Sequence, residues 1–241
     1  MEIVEALSAD AGTTCLVGAG GKKTTLYALA GRLDRAVLTA TVRIPIFDRR
    51  VAALCVTDEP SAAVWDGPFP LGLVSEREGD RYLGYDTGTV DDLAATHDGP
   101  ILVKADGART RELKAPGEHE PQLPSTADVV VPVASVHAVG RPLGEETVHR
   151  PERVAALTDL SVGDPITPAA VATVLASEHG GLEGVPDGAT AIPLLNKVDD
   201  ADDERIAREI ARTILARADV PRVVLARMAD AEVVDVVTGV D

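Results

Sequence analysis

The sequence predicts a three-layer α/β fold, a mostly parallel sheet with helices on both faces, and three observations carry that expectation. Several short segments are apolar throughout, such as Pro100-Ile101-Leu102-Val103 and residues 191–195, as strands buried on both faces should be. They alternate with segments of helical periodicity. Three of them run straight into loops rich in Gly, Lys, Asp or Asn, at the strand ends where such sheets bind ligands.

Residues 13–17 form a short apolar run ending at Gly18, after which Leu26, Leu29, Ala30 and Leu33 recur at helical spacing. That gives strand, glycine loop and helix. Residues 36–42 read as a second strand and 51–56 as a third, before prolines break the pattern over 60–70. Leu71-Gly72-Leu73-Val74 and Tyr82-Leu83-Gly84-Tyr85, separated by the polar turn Arg77-Glu78-Gly79-Asp80, predict an antiparallel hairpin inserted near residues 70–86. The strand over 100–103 ends at Lys104-Ala105-Asp106-Gly107, and a long polar, proline-bearing loop runs on to Ser125; long loops at strand ends often carry function. Residues 129–133 and 191–195 read as further strands, 151–160 and 168–177 as helices. The clearest helix has an apolar stripe of Ile206, Ile210 and Ile214, with Asp202, Asp203 and Glu204 at its positive end. Val223-Val224-Leu225 closes the pattern, and residues 1–241 are expected to form one α/β domain.

Composition narrows the function. A net charge of -16 over 241 residues argues against a nucleic-acid or anionic-membrane surface, both of which need excess basic charge. It fits a salt-rich cytoplasm, where screening shortens the reach of self-repulsion to about 3 Å at 1 M salt. No run approaches the roughly 20 apolar residues that cross a bilayer, and the start Met1-Glu2-Ile3-Val4-Glu5 lacks signal-peptide character, so a soluble, cytoplasmic protein is expected. Cys15 and Cys55 lie in apolar runs and read as buried thiols. Arginine is used freely, yet the only lysines are Lys22, Lys23, Lys104, Lys114 and Lys197, each at or beside a strand-end loop. That placement suits phosphate contact by a compact ammonium.

The segment Gly18-Ala19-Gly20-Gly21-Lys22-Lys23-Thr24-Thr25 is the strongest motif. Glycines 18, 20 and 21 permit positive φ, so that backbone N–H groups can face an anion at a helix start. Either Lys22 or Lys23 could supply the charge to the phosphates; Lys23 is preferred because Thr24 follows it, and Thr24 or Thr25 would offer a hydroxyl to Mg2+. A strand, this loop and a helix in order make the fold P-loop NTPase-like. The dinucleotide fingerprint fails, since its third glycine falls on Lys23 and the second strand ends without an acidic ribose ligand.

Asp106 at a strand end suits magnesium binding or orientation of an attacking water, and equally a plain turn before Gly107. With Lys23 it is the candidate catalytic residue, and with Thr24 the candidate metal ligand. Arg109, Arg111, Lys114, His119 and Glu120 crowd the loop that follows, as an anion site for phosphate or a second substrate, or as surface ion pairs worth about 0–1 kcal/mol each. The histidines show no zinc-ligand spacing.

Asn196-Lys197-Val198-Asp199 after a buried strand matches the Asn-Lys-x-Asp motif of guanine-nucleotide-binding proteins. One carboxylate can accept both guanine N1–H and the 2-amino group, the lysine stem can lie along the base, and the asparagine can brace the loop. The competing reading is that Asp199 or Asp200 caps the next helix.

These motifs, together with Ala105-Asp106-Gly107-Ala108-Arg109, Leu113-Lys114-Ala115-Pro116, His119-Glu120-Pro121 and Val148-His149-Arg150-Pro151, resemble those of the YqeC-like proteins. The resemblance covers most of the chain. Two positions depart from it: Lys104 stands where members usually carry glutamate, and Thr39-Ala40-Thr41-Val42-Arg43 only partly matches a threonine-rich strand end. What it implies is nucleotide-dependent help in maturing selenium-dependent molybdenum hydroxylases, with such a hydroxylase or a cofactor-maturation protein as partner. Two function classes follow: a slow GTPase switch, or a transferase moving a phosphoryl or nucleotidyl group onto a small acceptor held by Arg109, Lys114 and His119.

Overall fold

The computed structural model describes residues 1–64 and 67–239. Its strands are β1 (Thr13–Gly18), β2 (Val37–Ala40), β3 (Ile44–Pro45), β4 (Ala53–Val56), β5 (Leu71–Val74), β6 (Glu76–Glu78), β7 (Arg81–Leu83), β8 (Ile101–Lys104), β9 (Leu113–Lys114), β10 (Ala127–Ser135), β11 (Val148–His149), β12 (Thr190–Ala191), β13 (Leu194–Asn196), β14 (Arg222–Arg227) and β15 (Glu232–Thr238). The helices are α1 (Ile3–Ala6), α2 (Lys22–Ala30), α3 (Pro60–Ala63), α4 (Thr87–Ala94), α5 (Pro151–Leu157), α6 (Pro168–Ala176) and α7 (Ala201–Arg217).

The main sheet runs β15-β14-β13-β10-β1-β8-β2-β5-β4, with β12 beside β10. Every pairing in it is parallel except β14 with β15. Alternate side chains of an all-apolar strand must enter opposite faces, so this sheet needs cover on both. Leu16 of β1 joins Leu26 and Leu29 of α2 in one core, whereas Cys15 and Val17 pack with Val90 and Leu93 of α4 on the other side. Farther along that second face, Leu195, Val223 and Leu225 pack against α5, α6 and α7. Helices on both faces make the expected three layers.

The inserted antiparallel unit is present but built differently. The hairpin is β6 with β7, extended by β3 into a three-stranded sheet, whereas Leu71–Val74 pairs in parallel with β2 and β4 in the main sheet. Its four residues are all buried, which an exposed hairpin strand could not be. The break over 60–70 contains the short helix α3, and residues 65 and 66 lie outside the described residues. Elements beyond the expected ones include α1, the helix α4, the short strands β3, β9 and β11, and the antiparallel edge strand β15. Cys15 and Cys55 are free thiols, the first buried and the second half-buried. No helix among the described residues is long and apolar enough to cross a membrane.

Candidate functional site

The carboxyl ends of β14, β13, β1, β8 and β2 open into one cavity of about 960 Å³. Ten of its lining residues are Lys or Arg, against the three carboxylates Glu112, Glu120 and Asp199. In a chain of net charge -16 this is a local reversal of sign, and a concave wall concentrates such a field on an incoming anion. Four lysines line it, Lys22, Lys23, Lys104 and Lys197, and the fifth, Lys114, lies just beneath.

The glycine loop folds as a tight strand-to-helix turn, with φ of +87° at Gly18, +81° at Gly20 and +150° at Gly21. These positions also lack room: a Cβ on Gly20 would lie 2.5 Å from the Ser135 nitrogen, and one on Gly21 would collide with the Asn196 amide. The loop's own N–H groups turn inward. Gly18 donates to Asp106 Oδ2 (2.8 Å), Ala19 to the Val133 carbonyl (2.9 Å) and Gly20 to the Arg111 carbonyl (2.9 Å). The sequence expectation that these amides face an anion is therefore corrected; the N–H groups without an intrahelical acceptor come one step later, in the first turn of α2. Helix α2 begins at Lys22 without a side-chain cap, leaving first-turn N–H groups at a positive helix end, and residues 20–24 border the cavity.

Lys22 and Lys23 are adjacent yet differently placed. Lys23 is half-buried at the cavity wall and Thr24 is exposed there, while Thr25 is buried with its hydroxyl bonded to the Gly21 carbonyl (3.2 Å). Lys22 is buried, donates to the Gly18 carbonyl and pairs with Asp106 Oδ1 at 2.8 Å. Asp106 Oδ2 pairs in turn with Lys114 (2.7 Å), which also holds the Gly107 carbonyl (2.6 Å) and Glu120 (2.7 Å), and Glu120 pairs with Arg150 (2.7 Å). Burial, the largest influence, pushes the Lys22 ammonium down against the pull of Asp106. Burial would raise the Glu120 carboxyl, but bonds from Lys114 and Arg150 outweigh it and carry it down to about 2. Lys104 donates to the Arg43 and Asp106 carbonyls (3.0 and 2.7 Å), and burial together with the Lys22 charge pushes its ammonium down to about 7.

Asp106 is only 2% exposed and does not border the main cavity, whereas Thr24 does. The two candidate magnesium ligands are thus not brought together, and both Asp106 oxygens already face ammonium groups. Asp106 does not fit as a direct metal ligand in this arrangement; it fits as the anion that fixes the loop from below.

At the other end, Asn196 closes β13. Its amide donates to the Gly20 carbonyl (2.7 Å) and its oxygen accepts from the Met228 N–H (2.9 Å), so it ties the glycine loop to the end of β14. Lys197 pairs with Glu112 at 2.7 Å. Asp200 caps α7, accepting from the Asp202 and Asp203 N–H groups at 2.9 Å each. The cap is therefore Asp200, and Asp199 stands half-exposed at the cavity wall, 3.7 Å from Arg227 and 3.4 Å from His137. His137, Asp199 and Asp203 lie together here, a grouping that the sequence spacing of the histidines did not reveal.

Of the other candidates, Ala19 and Arg109 line the cavity, while Gly18 lies behind it and His119 is exposed outside its wall. Sequence reasoning gave no role to Glu112, His149 or Arg150, all of which line it. Burial, then the Arg150 and Lys114 charges, push the His149 imidazole down to about 4, so it is neutral at pH 7. The one available signal for His149 and Arg150 was Val148-His149-Arg150-Pro151, a motif with no chemistry of its own, and Glu112 had none.

Residues 14–152 match the model of the YqeC protein family. The chain belongs to that family. A relative named "Uncharacterized protein YqeC", from Escherichia coli (strain K12), is 28% identical over 196 residues, covering 76% of this chain and 74% of that protein. No solved structure matches. The family match takes in the glycine loop and the buried Asp106 cluster, and it ends within α5, before Asn196-Lys197-Val198-Asp199.

Proposed function

We propose that this protein binds a nucleoside triphosphate, GTP in preference to ATP, and acts as a slow NTPase switch in the maturation of a selenium-dependent molybdenum hydroxylase. One observation carries the nucleotide reading: a single cationic cavity has the uncapped start of α2 at one wall and Asn196, Lys197 and a half-exposed Asp199 that does not cap α7 at another. In this reading the first-turn N–H groups of α2 and the Lys23 ammonium hold the phosphates, and Mg2+ enters with them, Thr24 offering the nearby hydroxyl. Asn196 keeps the loop closed, Lys197 is steadied by Glu112, and Asp199 accepts the two guanine donors. Asp106 is a positioning residue acting through Lys22 and Lys114. The hydroxylase role rests on the family resemblance alone.

A transferase acting on a small acceptor is the second reading, favoured by the extension of the cavity past α2 toward β2. Either way the base preference is measurable. Each hydrogen bond to a charged group is worth roughly 1.5–3 kcal/mol, so two of them predict about a hundredfold or greater preference for GTP over ATP in calorimetric titration at fixed salt. Equal affinities would overturn the guanine assignment, and failure of both to bind would overturn the nucleotide reading.

A further inference from the structure

We propose that the β8–β2 half of the cleft is a second ligand subsite, for a small molecule bearing a phosphate or carboxylate, beside the terminal phosphate of the nucleotide. The inference rests on the nucleotide lying across the β14–β1 half. Neighbouring strands are about 4.8 Å apart, so the five steps from β14 to β2 span roughly 24 Å. Base and phosphates, between Asp199 and α2, use the part from β14 to β1. Two strand spacings, roughly 10 Å, remain beyond α2, room for a small molecule and not for a second nucleotide.

The chemistry of that remainder is one-sided. Arg43, Arg81, Lys104, Arg109, His149 and Arg150 line it, and its one lining carboxylate, Glu120, is already held by Lys114 and Arg150 at 2.7 Å each. Among the described residues Arg109 makes no ion pair. Arg43 and Arg81 pair only with exposed Glu78 and Asp80, contacts worth about 0–1 kcal/mol that an incoming oxyanion can displace. The backbone here is also held in an unfavourable state: Arg109, Thr110 and Arg150 have φ of +46°, +61° and +66°, and left-handed non-glycine residues persist where surrounding structure enforces them, often at ligand clamps. His149, neutral at pH 7, adds a hydrogen-bonding group without adding charge.

The probe is inorganic phosphate, titrated calorimetrically into protein saturated with a non-hydrolysable GTP analogue, at one fixed ionic strength. Phosphate should bind the loaded wild type, and the double variant Arg43→Ala/Arg109→Ala should weaken it at least tenfold. Both side chains are exposed, so the variant should keep its fold, which circular dichroism checks. Loaded protein that takes up no phosphate, or a double variant that binds it as well as wild type, overturns the subsite. Should the analogue itself fail to bind, the same titration of nucleotide-free protein separates the two ideas. Phosphate binding that still depends on Arg43 and Arg109 would then sink the nucleotide reading and keep the subsite, and binding indifferent to both would sink the subsite.

Discussion

Beneath the glycine loop, Lys22 and Lys114 are almost wholly buried and each lies within 2.8 Å of an Asp106 oxygen. Above it, Lys23, Arg109 and Arg111 line the cavity and make no ion pair among the described residues. The contrast is sharpest between neighbours. Consecutive residues of a helix point roughly 100° apart, so at the start of α2 Lys22 turns down to the strand ends while Lys23 turns to the cavity wall. Charge below is neutralised within the protein and fixes the loop; above it, Lys23, Arg109 and Arg111 carry charge that no carboxylate among the described residues pairs. A lysine in a glycine loop thus has no single meaning until its depth is known.

The widest separation between the two regions should appear in stability. Asp106→Ala leaves two buried ammonium groups without their shared carboxylate, and breaking a buried pair costs about 3–5 kcal/mol. Lys23→Ala should change stability by less than about 0.5 kcal/mol while lowering triphosphate affinity by roughly tenfold to a hundredfold. Urea unfolding and calorimetric titration of both variants read this directly. A stable Asp106→Ala protein, or a Lys23→Ala protein unfolded to the same degree, would erase the distinction.

A smaller effect sharpens the picture of the lower region. Lys104 has its ammonium pushed down to about 7 from an ordinary 10.5. Between those values the unfolded chain keeps a proton that the folded one has released, so this group makes stability rise with pH, by up to about 1.4 kcal/mol per unit. Urea midpoints from pH 7 to 9 should climb more steeply for wild type than for Lys104→Met, and parallel profiles would contradict the burial argument. Glu120 is shifted in the same direction at the acid end, but there the shift favours the charged form. Its carboxyl, held near 2 against an ordinary 4.5, contributes stability above 4.5 that is lost as pH falls toward 2.

How much of this could be read from the sequence follows the range of each interaction. The sheet was legible because strands covered on both faces are apolar without interruption, and α7 because Ile210 and Ile214 repeat at helical spacing. Leu71–Val74 was given to the hairpin although its uninterrupted apolar character is that of a covered strand; the turn at Gly79-Asp80 does join two strands, but the upstream partner is Glu76–Glu78. Strand β15, half-buried at a sheet edge and interrupted by Asp235, has no comparable signal, and α1 is too short for periodicity. At the site, the glycine loop and Asn196–Asp199 are local motifs and were visible. The Lys22, Asp106, Lys114, Glu120 and Arg150 cluster joins distant loops whose contacts arise only once β1, β8, β9 and β11 are placed, so Asp106 read as a magnesium ligand while Arg150 had no role.

The central claim is that the upper region reads guanine through Asp199, and a base swap tests it most directly. Asp200 already caps α7, so Asp199→Asn should leave helix stability unchanged. The measurement is a set of dissociation constants for GTP, ATP and xanthosine triphosphate with wild type and Asp199→Asn at one salt concentration. The wild type should prefer GTP by about a hundredfold or more over ATP. The variant should lose GTP affinity and gain affinity for xanthosine triphosphate, whose base carries an acceptor oxygen where guanine has its amino group, matching the new amide donor. A wild type that does not distinguish GTP from ATP, or a variant that keeps the same ranking of the three, would contradict it.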